Sequence, residues 1–560
     1  MGRVVHPVRY VRSESRALSR VATIAQLRTT RFSLGLPPSP EIFGLQLLSF
    51  ASITIYTWPW LDRAALLRVR LRHILDMTEH VIDPLPDLHA RKRICVIGAG
   101  ANGLAVLQVF ADSLYVRSGD WTISCFEDRE DVGGVWRAAP PSSDDKPPIS
   151  AVYDSLKINL PHPIMTYQTF PFPPETPLFP TAARLLQYLE DYTDHFNLRR
   201  FIRFNTLVAS TRWSQDEFVW KVSLSTGETL DFDALVVSNG HYRRPRYPII
   251  PGLQSWLSAG KVMHSAWYRR PAQLLQYHRV VVVGGGLSAH DVCADLTAEG
   301  KQVLHSIPSG PGEYPPDSPL YRKVPRIASY GDDGKIVFHD GTTESGVDFV
   351  VLATGYECSY PFFAEPDMVE GFPDTPPPFP AHLHNTTYGL FPLAKHLFPL
   401  QSDYPAHSIA FTGLTIKVAI FPIFEDQARA ILHVLEDPNR LDVAAEFAAI
   451  VERAQRLAAA MGSEDSAVVI KEWIFFSLWE GFDYRTELSK FVSPQAPWVV
   501  PEWEAWMWER KGELRAAWLE IERRGEAERW LRGVGHNGVG DWFAFCRRVL
   551  EERGKLEARL

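Results

Sequence analysis

An apolar run, Ile94, Cys95, Val96 and Ile97, ends in the hexapeptide Gly98, Ala99, Gly100, Ala101, Asn102, Gly103 and passes into a helical apolar pattern over residues 104–114. Few short sequences restrict a fold so strongly. A G-x-G-x-x-G spacing between a buried strand and a helix is the pattern of a dinucleotide-binding turn. Gly98 permits the tight turn, Gly100 lets backbone approach a pyrophosphate, and Gly103 lets helix and strand pack closely. The pyrophosphate then rests on the helix N-terminus, where free amides and the helix dipole attract negative charge. A second apolar strand, residues 121–126, ends at Glu127, whose carboxylate can accept hydrogen bonds from both hydroxyls of an adenosine ribose.

The pattern returns once. Val280, Val281, Val282 and Val283 run into Gly284, Gly285, Gly286, Leu287, Ser288, Ala289 and a helical stretch over residues 290–298, a G-x-G-x-x-A variant of the same unit. The strand that follows, residues 302–307, ends without an acid to take a ribose 2′-hydroxyl, which favours NADP over NAD. A 2′-phosphate would have to be received by Ser306, or by the more distant Arg322, Lys323 or Arg326. Two further strand patterns end in glycine: residues 232–238 before Asn239 and Gly240, and residues 347–353 before Thr354 and Gly355. They bracket the second nucleotide unit and suggest that it is inserted into the first. The fold class expected is α/β, with two dinucleotide-binding, Rossmann-like domains, one inserted in the other, and a helical C-terminal region.

Composition narrows the partners. With 66 acidic against 58 basic side chains, a net charge of −8, the chain has no electrostatic reason to bind nucleic acid. Its five cysteines, Cys95, Cys125, Cys293, Cys358 and Cys546, form no CxxC or CxxxxC pair, which argues against a disulfide framework, a metal site and a dithiol redox centre. A disulfide reductase, which shares the two-nucleotide layout, is excluded by the missing dithiol.

The N-terminus reads differently. Residues 1–35 carry seven arginines and one acid, Glu14, a composition that suits a disordered basic tail or a mitochondrial transit peptide. Residues 42–60 contain no charge and are just long enough to cross about 30 Å of hydrocarbon as a helix. Gln46, Ser49, Ser52, Thr54 and Thr57 dilute that stretch, so an apolar helix on the protein or at a membrane surface competes with an anchor. The expectation is an intracellular protein, cytoplasmic or membrane-associated, with mitochondrial import as the alternative. At the other end, residues 441–461 read as an Ala-rich helix, and residues 471–560 hold nine of the 17 tryptophans, with Trp503, Trp506 and Met507 at helical spacing. A helical subdomain that packs aromatic faces on the core accounts for this.

Several further segments resemble the flavin-containing monooxygenases. Asp131, Val132, Gly133, Gly134, Val135, Trp136 is similar to the family's second FAD segment. Tyr153, Asp154, Ser155, Leu156, Lys157, Ile158, Asn159, Leu160, Pro161 is similar to its Ser-Leu-x-Thr-Asn-x-Pro stretch, and Phe170, Pro171, Phe172, Pro173 follows. The family's identifying sequence, F-x-G-x-x-x-H-x-x-x-Y/F, is matched at Gly260, His264 and Tyr268. Phe411, Thr412, Gly413, and then Phe421 followed by Pro422, Ile423, Phe424, Glu425, Asp426, Gln427 and Ala428, resemble the returning flavin-domain segment. The resemblance covers about residues 91–435. Ser258 stands in place of the identifying phenylalanine, and Ile158 in place of the threonine before the key asparagine. Baeyer-Villiger monooxygenases have tryptophan followed by proline or aspartate at the end of that motif; here Trp267 comes one residue early, and Tyr268 is followed by Arg269.

The resemblance implies FAD and NADPH as cofactors and, as partners, O2 and a small organic substrate. The domains would then be a leader or tail (1–35), an apolar segment and linker (36–90), an FAD-binding domain (91–240 and 346–440) interrupted by an NADP-binding domain (241–345), and the helical C-terminal region (441–560). The cofactors would be held by Gly98, Gly100, Asn102, Gly103, Glu127, Gly134, Val135, Trp136, Asn159, Gly284, Gly286, Ser288, Ser306, Thr354, Gly355 and Gln427. The implied reaction is hydroxylation of a nitrogen or sulfur centre, such as that of N,N-dimethylaniline, through a C4a-hydroperoxyflavin. Asn159 is the one residue given a direct role, donating a hydrogen bond without delivering a proton; a turn-capping asparagine is its plainer alternative. His264 and Tyr268 could equally be packed hinge residues. Competing functions are ketone oxygenation, a flavin dehydrogenase passing electrons to a quinone or protein acceptor, and a non-enzymatic FAD-stabilised scaffold.

Overall fold

The computed structural model describes residues 91–141, 146–308, 314–373, 380–477 and 479–557; the leader, the apolar segment 42–60 and the linker to residue 90 lie outside them. The fold is α/β. Its first sheet is built on β1 (Lys92–Ile97), which feeds α1 (Ala101–Ala111) and pairs in parallel with β2 (Trp121–Phe126) on one side and β3 (Ala234–Val237) on the other. Ile94, Cys95 and Val96 have no exposed surface. This is why the run is apolar without alternation: a central parallel strand is covered on both faces.

From β3 the chain crosses at Arg244–Pro245 to a second parallel sheet, made of β4 (Val262–His264), β5 (Arg279–Val283), β6 (Gln302–Ser306), the edge strand Tyr321–Val324 and β7 (Phe349–Leu352). α2 (Leu287–Ala298) follows β5. The chain returns through Tyr356–Glu357, which pairs antiparallel with Arg244–Pro245, and rejoins the first sheet as β8 (Ile409–Phe411), parallel to β3. Next in the chain, α3 (Ile420–Glu436) packs on α1.

One domain boundary moves. The sequence pattern places residues 346–353 in the return of the first domain, yet β7 pairs with β5 and β4 in the second sheet. An all-apolar strand of four residues suits the middle of either parallel sheet, so its composition does not reveal its neighbours.

Beyond residue 440 the described chain is helical, from Val443–Met461 to Val539–Glu557. Trp518 is fully buried and Trp542 nearly so, each removing apolar surface from water worth about 1.5–3 kcal/mol or more per side chain. Arg485, on helix Glu480–Val492, is buried between Asp426 of α3 at 2.9 Å and Glu504 at 2.5 Å. This pairing joins the tail to the first sheet's α3. No described helix is long and apolar enough to cross a membrane.

Candidate functional site

The first turn is shaped by what it cannot hold. A Cβ on Gly103 would lie 1.9 Å from the Gly98 carbonyl oxygen, so α1 presses directly on the turn. α1 starts at Gly100 with no side-chain cap, which leaves its first amides available to an anion. The turn touches the second glycine segment: the Gly133 amide donates to Ala99 O at 3.1 Å, and a Cβ on Gly134 would come within 3.0 Å of the Gly100 Cα. Gly134, Val135 and Trp136 form one tight helical turn, fastened by Ser150 Oγ donating to Val135 O at 2.6 Å.

Glu127 sits at the carboxyl end of β2, nearly buried, accepting the Ala99 amide at 2.7 Å and the Arg129 amide at 3.1 Å. Burial, with neighbouring Asp128 adding to it, raises its pKa to about 7. Gly98, Gly100, Gly103, Glu127 and Gly134 thus meet at the carboxyl end of the first sheet's central strands. Asn102 and Gln427 turn inward: Asn102 Nδ2 donates to Thr412 O at 3.3 Å, while Gln427 Oε1 accepts the Gly413 amide at 2.9 Å and its Nε2 donates to Tyr484 at 3.1 Å. Asn102 thus binds the end of the returning strand to the turn, and Gln427 binds it to α3 and the C-terminal helix, both through protein partners.

The second turn repeats the geometry. Gly284 has φ +131°, and a Cβ there would meet Ala353 O at 2.2 Å. α2 starts at Gly286, again without a side-chain cap, with Ser288 in its first turn. His305 Nε2 lies 2.7 Å from Gly284 O and its Nδ1 2.9 Å from the Tyr321 hydroxyl. A carbonyl only accepts, so Nε2 carries the proton and Nδ1 accepts from Tyr321. Ser306 is buried, and its hydroxyl donates to Pro325 O at 2.8 Å. Arg322 pairs with Glu344, and Lys323 lies 3.8 Å from Asp317. Arg326, just past the edge strand, is exposed, and its guanidinium makes no ion pair among the described residues.

Between the two units the motif residues serve as packing and ties. Thr354 Oγ1 donates to Arg246 O at 2.6 Å, and the Arg246 amide donates to Gly355 O at 2.9 Å, holding the crossing strands together. Gly260 forms an exposed turn at φ +66°. His264 is fully buried, its Nδ1 accepting the Ala266 amide at 3.1 Å between the rings of Tyr247 and Tyr356. Burial lowers its pKa to about 4, so the ring is neutral at neutral pH. Tyr268 donates to Asp295 Oδ2 at 2.9 Å, as does Ser155 at 2.7 Å, and Tyr153 donates to Asp291 at 2.6 Å. Residues 153–155 are thereby latched to α2.

In the sequence Arg269 stands out only as a departure from the Baeyer-Villiger pattern. It is buried and donates to four carbonyls, those of Ala139 at 2.9 Å, Ala266 at 2.7 Å, Tyr268 at 2.8 Å and Ser150 at 2.6 Å. No sequence signal marks carbonyl partners. Asn159 is exposed, and its amide makes no hydrogen bond among the described residues; its neighbour Ile158 is held by the Pro180 carbonyl at 3.0 Å and by Arg515 at 2.8 Å.

Two uncapped helix starts, each beside a turn that admits no side chain, fit the pyrophosphates of FAD and of NADPH, and Glu127 fits a ribose. A family model described as flavin-binding monooxygenase-like matches residues 91–312 and 324–480. The flavin-containing monooxygenase FMO GS-OX-like 9 of Arabidopsis thaliana is 32% identical over 380 residues, covering 62% of this chain and 77% of that protein. FMO GS-OX-like 7 of the same plant is 31% identical over 423 residues, covering 68% and 83%. The solved structure of the S-allyl-L-cysteine S-oxygenase of Allium sativum superposes with a TM-score of 0.63 at 27% identity, over 83% of this chain and 99% of that one. Tmm from Pelagibacter sp. strain HTCC7211 shares the fold, with a TM-score of 0.58 at 24% identity over 76% and 91% of the two chains.

Proposed function

The chain belongs to the flavin-binding monooxygenase-like family and is a flavin monooxygenase, and from that premise we propose that it transfers one oxygen atom of O2 to a sulfur centre of a small organic substrate at the expense of NADPH, with a nitrogen centre as the second choice. The balance is substrate, O2, NADPH and a proton going to oxygenated substrate, water and NADP⁺. Sulfur comes first because the similar garlic protein is named as an S-oxygenase. The observation that carries the reading is the pair of glycine turns, each opening an uncapped helix at the carboxyl end of a parallel sheet's central strand.

The first sheet would hold FAD, with the amides at the start of α1 on its pyrophosphate and Glu127 on its ribose; the second, inserted between β3 and β8, would hold NADPH. Flavin, when bound, supplies the oxygen-activating chemistry, with electrons from the nicotinamide. The chain's own residues bind, orient and exclude water. Asn159 is suited to a direct role because an amide donates a hydrogen bond yet has no proton to release near neutral pH. Arg326 favours NADPH: the nearest alternatives, Arg322 and Lys323, already face Glu344 and Asp317.

The test uses methyl p-tolyl sulfide, NADPH and ¹⁸O2 with the FAD-loaded protein. One ¹⁸O in the sulfoxide and one NADPH consumed per product support the reading. Reduction of an added quinone with no oxygenated product from the sulfide or from N,N-dimethylaniline overturns it and favours electron transfer.

A further inference from the structure

We infer that Arg515 is a positioning residue for Asn159, supplied by a C-terminal helix that lies past the end of the family match at residue 480. The inference rests on the proposed role of Asn159. Arg515 stands on helix Lys511–Arg523 and reaches three parts of the chain at once. Its Nη1 donates to Ile158 O at 2.8 Å, its Nη2 lies 3.8 Å from Asp291 Oδ1 on α2, and its guanidinium lies over the Phe179 ring at 5.7 Å. Two turns along the same helix face, Glu522 pairs with Lys157 at 2.6 Å. The helix therefore holds the two residues that precede Asn159.

The carbonyl that Arg515 grips belongs to the peptide plane joining Ile158 to Asn159. That plane is rigid, so fixing the carbonyl sets the place of the Asn159 Cα and the direction of the N–Cα bond by which the chain enters it. The same guanidinium faces Asp291, which also accepts the Tyr153 hydroxyl at 2.6 Å. Docking of the second unit and presentation of Asn159 thus share one side chain. A planar guanidinium serves a carbonyl and a carboxylate together; an ammonium on a flexible stem serves them less well.

The experiment compares N159A, R515A, R515K and the double variant N159A/R515A in the FAD-loaded protein, reading hydrogen peroxide released per NADPH and hydrogen exchange of the Ile158 amide. R515A is expected to raise peroxide release as N159A does, and to speed Ile158 exchange about tenfold, the scale of one lost charge-assisted hydrogen bond. R515K should recover part of both, and the double variant should be no worse than N159A. If N159A raises peroxide release and R515A does not, or if the two effects multiply, the positioning role is overturned. If N159A leaves peroxide release unchanged, the reading of Asn159 itself falls. Should R515A not fold, R515M, which keeps the bulk and removes the donors, carries the same comparison, and its behaving as wild type in both readouts overturns the inference.

Discussion

The phenolic hydroxyl of Tyr268 donates to Oδ2 of Asp295 at 2.9 Å, an oxygen that also takes the Ser155 hydroxyl at 2.7 Å. One carboxylate on α2 therefore binds the end of the identifying motif to the segment that carries Asn159. Asp295→Ala leaves both hydroxyls without their acceptor and is expected to cost about 2 kcal/mol, against about 1 kcal/mol for Tyr268→Phe, which removes one donor. The midpoint of urea unfolding, with its slope unchanged, measures both.

Glu425 gives a pH dependence. It is fully buried, accepting the Gln168 amide at 2.6 Å, and burial raises its pKa from 4.5 to about 7. Between those values the folded chain keeps a proton that the unfolded chain has released. Its contribution to stability is therefore fully present below pH 4.5 and is lost as the pH rises through about 7. Glu425→Gln should flatten the fall in unfolding temperature across that window, removing a slope of the order of 3 kcal/mol. Glu127, raised in the same direction, leaves a residual slope. An unchanged profile in the variant would contradict the assignment.

The two turns can be separated by mutation. Gly103→Ala places a methyl 1.9 Å from Gly98 O, and Gly284→Ala places one 2.2 Å from Ala353 O at a positive φ. The first should purify with little flavin absorbance. The second should keep its flavin yet lose at least about tenfold in NADPH affinity, 1.4 kcal/mol or more. Loss of flavin from Gly284→Ala, with retention in Gly103→Ala, would reverse the assignment of the sheets.

Arg326 should carry the preference for a 2′-phosphate. Arg326→Ala is expected to weaken binding of 2′,5′-ADP about tenfold or more while leaving that of 5′-AMP unchanged, the scale of one charge-assisted contact. Calorimetric titration of each nucleotide reads the difference directly. Equal losses for both would mean that Arg326 acts on the fold of the edge and not on the phosphate.

Both strand–turn–helix units were legible in the chain because their parts are contiguous: strand, glycine turn and helix start lie within a few residues, so local sterics dictate them. β1 with α1, and β5 with α2, form where the glycines place them, and the helical tail follows from its apolar spacing. What local pattern does not encode is partnership across the chain. β7 took its place in the second sheet through pairing with β5 and β4, although its four apolar residues would suit either sheet. Arg269 found four carbonyls, and Arg515 found Ile158 from 357 residues away. A carbonyl is the same group in every residue, so a side chain that binds carbonyls leaves no mark on its partners' identity. Sequence alone determined the two nucleotide turns and the chemistry they admit; only the folded chain decided which sheet owns each strand and which arginines hold the site in place, because those contacts depend on distance in space and not on residue type.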